Sequence, residues 1–198
     1  MRFGKFSILA AAILAACGVS WAQSPKYHLG RTPTDEEIKA WDISVGPEGK
    51  ELPPGSGNAV AGAKIYAEKC ALCHGPTATE GKFLHGVLAG GKESLTTLEP
   101  MKTIGSYWPY ATTIFDFVRR AMPFNNPGSL TADEVYSLTA FLLYRNEIIE
   151  EPTVIDAMTL PKVRMPNRDG FSPVNPDWKP GYYQPYFSPQ PEPRKKKQ

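Results

Sequence analysis

Apolar residues recur at helical spacing in three stretches between residues 59 and 150. In the first stretch, Ala61 to Cys73, they return every three or four positions, at Ala63, Tyr66, Ala67 and Cys70. This spacing predicts a helix, and Gly75 follows it as a stop signal.

Two more helices are predicted further along the chain. The segment Ala111 to Ala121 carries one apolar side, and Pro123 prevents its continuation. The last helix begins at Thr131, because Thr131 and Glu134 form a capping box, and it runs to about Asn146. The apolar positions of the two helices are Ile114, Phe115, Phe117 and Val118, then Val135, Leu138, Phe141 and Leu142.

The connections between these helices contain no strand pattern. Residues 75 to 106 are rich in glycine and threonine and have little periodicity, which is typical of loops. The length of 198 residues and the 41% hydrophobic content suit one sizeable core. The sequence therefore predicts an all-α domain over residues 59–150.

Proline-rich arms flank this domain. Residues 23–58 form an N-terminal arm in which Thr34 to Ile38 begins a short helix, with Thr34 as its cap. Residues 151–198 form a C-terminal arm that holds half of the 20 prolines, a spacing that prevents a helix or a central strand. We expect its aromatic residues to lie on the core or on a partner; they are Trp178, Tyr182, Tyr183, Tyr186 and Phe187.

The first 22 residues are typical of a secretion signal. Arg2 and Lys5 precede an apolar run, and Ser20-Trp21-Ala22 resembles a cleavage site. A second possibility is acylation of Cys17, because residues 14–17 resemble the site at which bacterial lipoproteins are cut. Both interpretations place the protein outside the cytoplasm, in the periplasm, either free or lipid-anchored.

The net charge of +2 is too small to indicate binding to nucleic acid. A basic run, Arg194 to Lys197, lies near the end of the chain. It is either a solvated tail or a docking patch for an acidic partner.

The chemistry is concentrated in Cys70-Ala71-Leu72-Cys73-His74. Two cysteines three apart at a helix end face the same side and can form thioether bonds to the two vinyl groups of one porphyrin. His74 then reaches the iron as the proximal ligand. A redox dithiol would be expected after a strand, and a zinc site needs further ligands. We therefore predict one covalently attached haem c.

A methionine is expected as the sixth iron ligand of an electron carrier, because its soft thioether raises the reduction potential. Met122 stands at the end of the second predicted helix, with Pro123 keeping the backbone extended, and is the favoured candidate. Met165 also precedes a proline but lies in the outer arm without a helix to position it. The remaining methionines of the mature chain are Met101 and Met158. An open sixth position is the other alternative.

Several further residues are candidates for contacts around this site. A glycine lets two helices cross closely, so Gly62 and Tyr66 are expected to meet Phe141. Trp108 and Tyr110 could donate hydrogen bonds to haem propionates or serve only in packing. Arg119 or Arg120 could balance the propionate charge or simply be solvated. His28 and His85 are interpreted as surface residues.

The motif at residues 70–74, together with Gly62, Tyr66, Met122-Pro123 and the last helix, resembles class I cytochromes c. Further stretches resemble the cytochrome subunit of the periplasmic sulfane dehydrogenase in the Sox sulfur-oxidation system. They are residues 34–38, 41–43, 52–57, 110–113, 120–124 and 160–171. The resemblance implies a class I cytochrome c fold, with Cys70, Cys73, His74 and Met122 as the haem-binding residues.

The resemblance also implies partners. In that family a molybdenum-cofactor subunit oxidises a sulfur compound and passes electrons to the cytochrome subunit, which hands them to a small soluble cytochrome. Typical members carry a second haem domain, whereas this sequence has one attachment motif. The alternatives are a free-standing or lipid-anchored carrier unconnected with sulfur oxidation, and an enzyme acting at an open haem iron.

Overall fold

The computed structural model describes Tyr27, residues 29–81 and residues 86–171. It divides into two compact units, one ending at Asp42 and the other beginning at Ile43. The predicted leader with Cys17, the two histidines His28 and His85, and the aromatic residues beyond residue 171 lie outside the described residues.

The described part of the first unit contains one helix, α1, Asp35–Trp41. Thr34 and Glu37 form the capping box at its start, as the sequence predicts. Arg31 pairs with Glu37 beside the same cap. Every residue of α1 is exposed or half-buried.

Within residues 43–81 and 86–171, the second unit contains four α-helices. They are α2, Ala59–Lys69; α3, Ala71–His74; α4, Ala111–Ala121; and α5, Ala132–Arg145. Short 3-10 turns occur at Ser94–Thr96 and Leu160–Lys162. The predicted helix over residues 61–73 is interrupted at Cys70, whose φ of −123° departs from helical geometry. The all-α prediction is confirmed.

Helices α2 and α5 cross in close contact. A Cβ atom on Gly62 would lie 2.0 Å from the carbonyl oxygen of Ser137, so only glycine allows this approach. One turn further along, the rings of Tyr66 and Phe141 pack with their centroids 4.7 Å apart. The predicted contact of Gly62 and Tyr66 with Phe141 is therefore present.

A two-stranded antiparallel ladder joins the segments before α2 and after α5. Strand β1, Ser56–Gly57, pairs with β2, Ile155–Asp156, in the register Gly57 to Ile155. This pairing was not predicted from the sequence. Both strands lie in the flanking arms, outside residues 59–150, and within residues 59–150 we expected only helices and loops.

The core is centred on α5 and also takes in part of the predicted C-terminal arm. Nine consecutive residues of α5, Val135–Leu143, are buried. From residues 151–171, the side chains of Ile155, Leu160 and Met165 are also buried. This segment has no α-helix, as its prolines predict, but these three apolar residues pack into the core.

Within the described ranges, no helix is long and apolar enough to cross a membrane.

Candidate haem site

The Cys70–His74 segment is held by the end of α2. The amide of Cys70 donates to the Tyr66 carbonyl at 2.9 Å, and the amides of Cys73 and His74 both donate to the Cys70 carbonyl, at 3.1 and 3.0 Å. The Tyr66 hydroxyl donates to the carbonyl of Gly75 at 2.9 Å. Tyr66 therefore fixes both ends of the segment that carries the predicted haem-binding residues.

The two cysteines are free thiols in different surroundings. Cys73 is exposed, whereas Cys70 is half-buried. Burial, opposed by the charge of Lys69 and assisted by Cys73, raises the pKa of the Cys70 thiol to about 11. A redox-active dithiol relies on a thiol whose pKa is lowered, and the pKa of Cys70 is shifted in the opposite direction.

The His74 ring is oriented by a main-chain oxygen. Its Nδ1 atom lies 2.7 Å from the carbonyl oxygen of Gly86. Because a carbonyl oxygen can only accept, Nδ1 must carry the proton, which leaves the lone pair on Nε2 for a metal. Such an acceptor behind a ligating histidine fixes its tautomer and increases its basicity. Gly86 could not be assigned this role from the residue pattern, because every residue type carries a backbone carbonyl.

A zinc site at residues 70–74 would need more ligands than these side chains supply. Among the residues that the structure describes, no three His, Cys, Asp or Glu side chains form a group that could hold a metal ion. A zinc site requires about four such ligands. The donor set at residues 70–74, two thiols and one histidine with a free Nε2, suits a porphyrin that brings four nitrogen ligands of its own.

Met122 lies directly at the end of α4. Its backbone is extended, with φ −122° and ψ 150°, and its amide donates to the Val118 carbonyl at 3.2 Å. The side chain is half-buried. The sequence predicts a place at the helix end and an extended backbone for Met122, and the structure has both. Its role as iron ligand stays a prediction.

The other methionines have different environments. Met165 is 1% exposed and packs in the core, which corrects the expectation that it lies in an outer arm without support. Its burial follows from the packing of Ile155 and Leu160 on the same segment. Met101 and Met158 have exposed side chains. Met165 therefore has the ordinary packing role of a buried methionine.

The arginines considered for the propionates bind protein acceptors. Arg119 donates to the Ile43 carbonyl at 3.2 Å, and Arg120 pairs with Asp116. Trp108 packs edge-on against Phe117, with centroids 6.0 Å apart. Hydrogen bonds from Trp108 to a propionate stay a prediction.

Tyr110 has a cation above its ring. The guanidinium of Arg168 lies 4.1 Å from the ring centroid, within the range of a cation–π interaction. The neighbouring Asn167 donates to the Tyr107 carbonyl at 2.7 Å. These contacts between residues 160–171 and the residues just before α4 were not predicted from the sequence.

Comparison with known proteins places this arrangement in a family. Residues 57–142 match the family model described as cytochrome c oxidase, cbb3-type, subunit III. A chain in the crystal structure of the sulfane dehydrogenase SoxCD from Paracoccus pantotrophus is 41% identical, with a TM-score of 0.69, and the match covers 85% of this chain and 87% of that one. This chain belongs to the family of c-type cytochrome subunits of sulfane dehydrogenase.

As a member of that family, the chain is a haem-dependent electron-transfer protein linked to sulfur oxidation. A further relative is the thiosulfate dehydrogenase of Psychrobacter arcticus, 29% identical over 114 residues. That match covers 52% of this chain, but the chain spans only 32% of the length of that relative. The resemblance inferred from the sequence motifs is thus confirmed.

Proposed function

We propose that this cytochrome is the electron-accepting subunit of a molybdenum-dependent dehydrogenase that oxidises sulfane or sulfite sulfur in the periplasm. The observation that carries the proposal is the 41% identity to a chain of a sulfane dehydrogenase, over nearly the full length of both chains. So extended a match includes segments outside the cytochrome core. Retention of those segments is expected if they contact a partner.

The chain would hold one haem c through thioether bonds to Cys70 and Cys73. His74 would be the proximal ligand and Met122 the distal one. When bound, the haem supplies a one-electron couple at its iron, and the histidine–methionine ligand pair places its potential in the range of electron carriers. The hydrogen bond from His74 Nδ1 to Gly86 supports the ferric state, and the Met122 thioether favours the ferrous state.

The sulfur chemistry belongs to the molybdenum subunit in this proposal, and the cytochrome is its non-catalytic partner. Each substrate oxidation would deliver electrons to this chain one at a time, and the chain would pass them to a small soluble cytochrome. The predicted leader, residues 1–22, supplies the route to the periplasm. Acylation at Cys17 would instead tether the same carrier to the membrane.

The proposal is tested by purifying the protein from native periplasm and measuring iron and molybdenum. We expect the two metals to co-elute with this chain. We also expect its haem to become reduced when sulfite or thiosulfate is added to the purified complex. The isolated cytochrome with the same substrates, and the complex without substrate, are the controls.

Two results would contradict this function. Elution of the cytochrome without molybdenum, and without substrate-dependent reduction after mixing with the dehydrogenase, would indicate a free-standing carrier. Reduction of the isolated cytochrome by the substrate would place the sulfur chemistry on this chain.

A further inference from the structure

A short extended segment lies along α4 in the second unit. We call this segment, Ile43–Pro47, the strap. The Val45 amide donates to Asp116 Oδ1 at 2.8 Å, and the Val45 side chain is buried in the core. Two other α4 side chains donate to strap carbonyls, Thr112 at 3.4 Å and Arg119 at 3.2 Å.

These three α4 residues share one face of the helix. Their separations of four and three residues correspond to successive turns. The strap is therefore tied to each turn of the helix that ends at Met122. All three bonds use backbone groups of the strap, so the attachment depends on the α4 side chains more than on the strap sequence.

Asp116 is the centre of the attachment. Besides the Val45 amide, its carboxylate accepts from Arg120 Nε at 2.8 Å and from a terminal nitrogen of the same guanidinium at 2.5 Å. Only 13% of the Asp116 side chain is exposed, compared with 43% for Arg120. A bidentate arginine–carboxylate pair of this kind is geometrically restrictive as well as strong.

The charge state of Asp116 fits this role. Burial acts to raise the pKa of its carboxyl, but the hydrogen bonds from Arg120 and from the Val45 amide, with the charges of Arg120 and Arg119, hold that pKa below its ordinary value. The carboxylate is thus ionised at neutral pH and keeps both partners.

The pair acts on the last turn of α4. Arg120 is two residues before Met122, and the Met122 amide closes that turn by its bond to Val118. The direction in which the Met122 side chain leaves the helix is set by the backbone of this turn. The Asp116–Arg120 pair spans this turn at i,i+4 spacing and so opposes its fraying, which keeps the backbone from which Met122 leaves the helix in place.

We propose that Asp116 and Arg120 are positioning residues that hold the Met122 thioether ready for the haem iron. This inference rests on the proposed function, in which Met122 is the distal ligand. It adds two residues that do not touch the haem iron but determine how firmly the methionine holds its position.

Imidazole binding to the ferric holoprotein tests this role, because imidazole competes with the methionine for the iron. Asp116→Asn keeps the shape of the side chain but loses the charge that fixes Arg120. We expect imidazole to bind about tenfold more tightly to this variant, the factor that one charge-assisted hydrogen bond represents. The methionine–iron absorption band should weaken at the same time.

Glu134→Gln is the matched control, because it breaks the 2.6 Å ion pair between Lys69 and Glu134, which joins α2 to α5 away from α4. It should lower the melting temperature without changing imidazole affinity. Should Asp116→Asn fail to accumulate as holoprotein, Arg120→Gln removes the exposed half of the pair, and we expect the same tighter binding.

Met122→Ala separates the inference from the proposed function. If it abolishes the absorption band and increases imidazole affinity while Asp116→Asn and Arg120→Gln match the parent within twofold, the positioning role is wrong and Met122 remains the ligand. If Met122→Ala changes neither property, the distal ligand has been misassigned and the positioning role fails with it.

Discussion

At the scale of single residues, Gly62 and Tyr66 determine the geometry of the end of α2 that leads into the Cys70–His74 segment. Gly62 lets α2 approach α5, and Tyr66 fills the adjoining position against Phe141 while its hydroxyl binds the Gly75 carbonyl. One face of a single helix thus sets both the helix crossing and the position of the segment that contains His74.

Gly62→Ala is expected to destabilise the fold strongly. The added methyl group would lie 2.0 Å from the Ser137 carbonyl oxygen, which belongs to a backbone that cannot easily move. We expect the free energy of unfolding to fall by about 3 kcal/mol or more and the melting temperature to fall by roughly 10 °C. Gly46→Ala is the control, because its nearest contact would be 3.6 Å away. Equal melting temperatures for the two variants would refute the close crossing.

Stability is expected to fall at alkaline pH because of Tyr66. Burial raises its pKa from 10.0 to about 12, so the folded protein holds this proton more tightly than the unfolded chain does. The contribution is complete below pH 10 and is lost as the pH rises toward 12. Denaturant titrations between these pH values should show a shallower decline for Tyr66→Phe than for the parent. A parallel decline in both proteins would contradict this assignment.

At the scale of elements, the helical core is completed by the segments that precede α2 and the segment that follows α5. The strap lies along α4, and β1 pairs with β2. The stretch that contains Leu160 and Met165 then enters the core. The α-helices therefore pack against flanking segments that contain no α-helix at those contacts.

Leu160→Ala tests whether the segment after α5 is part of the cooperative fold. This side chain is 0% exposed, so its truncation should cost about 2–5 kcal/mol. Met158→Ala, two residues away and 70% exposed, should change stability by no more than about 0.5 kcal/mol. Chemical denaturation gives both values. A small effect at Leu160 would mean that this segment only lies on the surface.

The helices could be predicted because their determinants are local. Apolar spacing and the Thr131–Glu134 capping box define α5, which begins at Ala132 with the predicted Thr131 as its N-cap. The β1–β2 pairing could not be predicted, because its partners are about a hundred residues apart and each strand has only two residues. Similarly, the Gly86 acceptor for His74 and the amide that binds Asp116 are backbone groups, which any residue type supplies.

At the scale of the whole molecule, the chain is a cytochrome core extended by segments that its sulfane dehydrogenase relative shares. The family model matches residues 57–142, whereas the match to the sulfane dehydrogenase chain covers 85% of the sequence. The core accounts for electron transfer, and under the proposed function the shared extensions would contact the partner subunit.

The central claim, that Cys70 and Cys73 attach a single haem, is tested most directly by the intact mass of the denatured, purified protein. We predict the mass of the mature polypeptide plus one haem, and we expect the haem to stay attached in acid. Haem that is released by acid, or a mass corresponding to two haems, would contradict this account of the site.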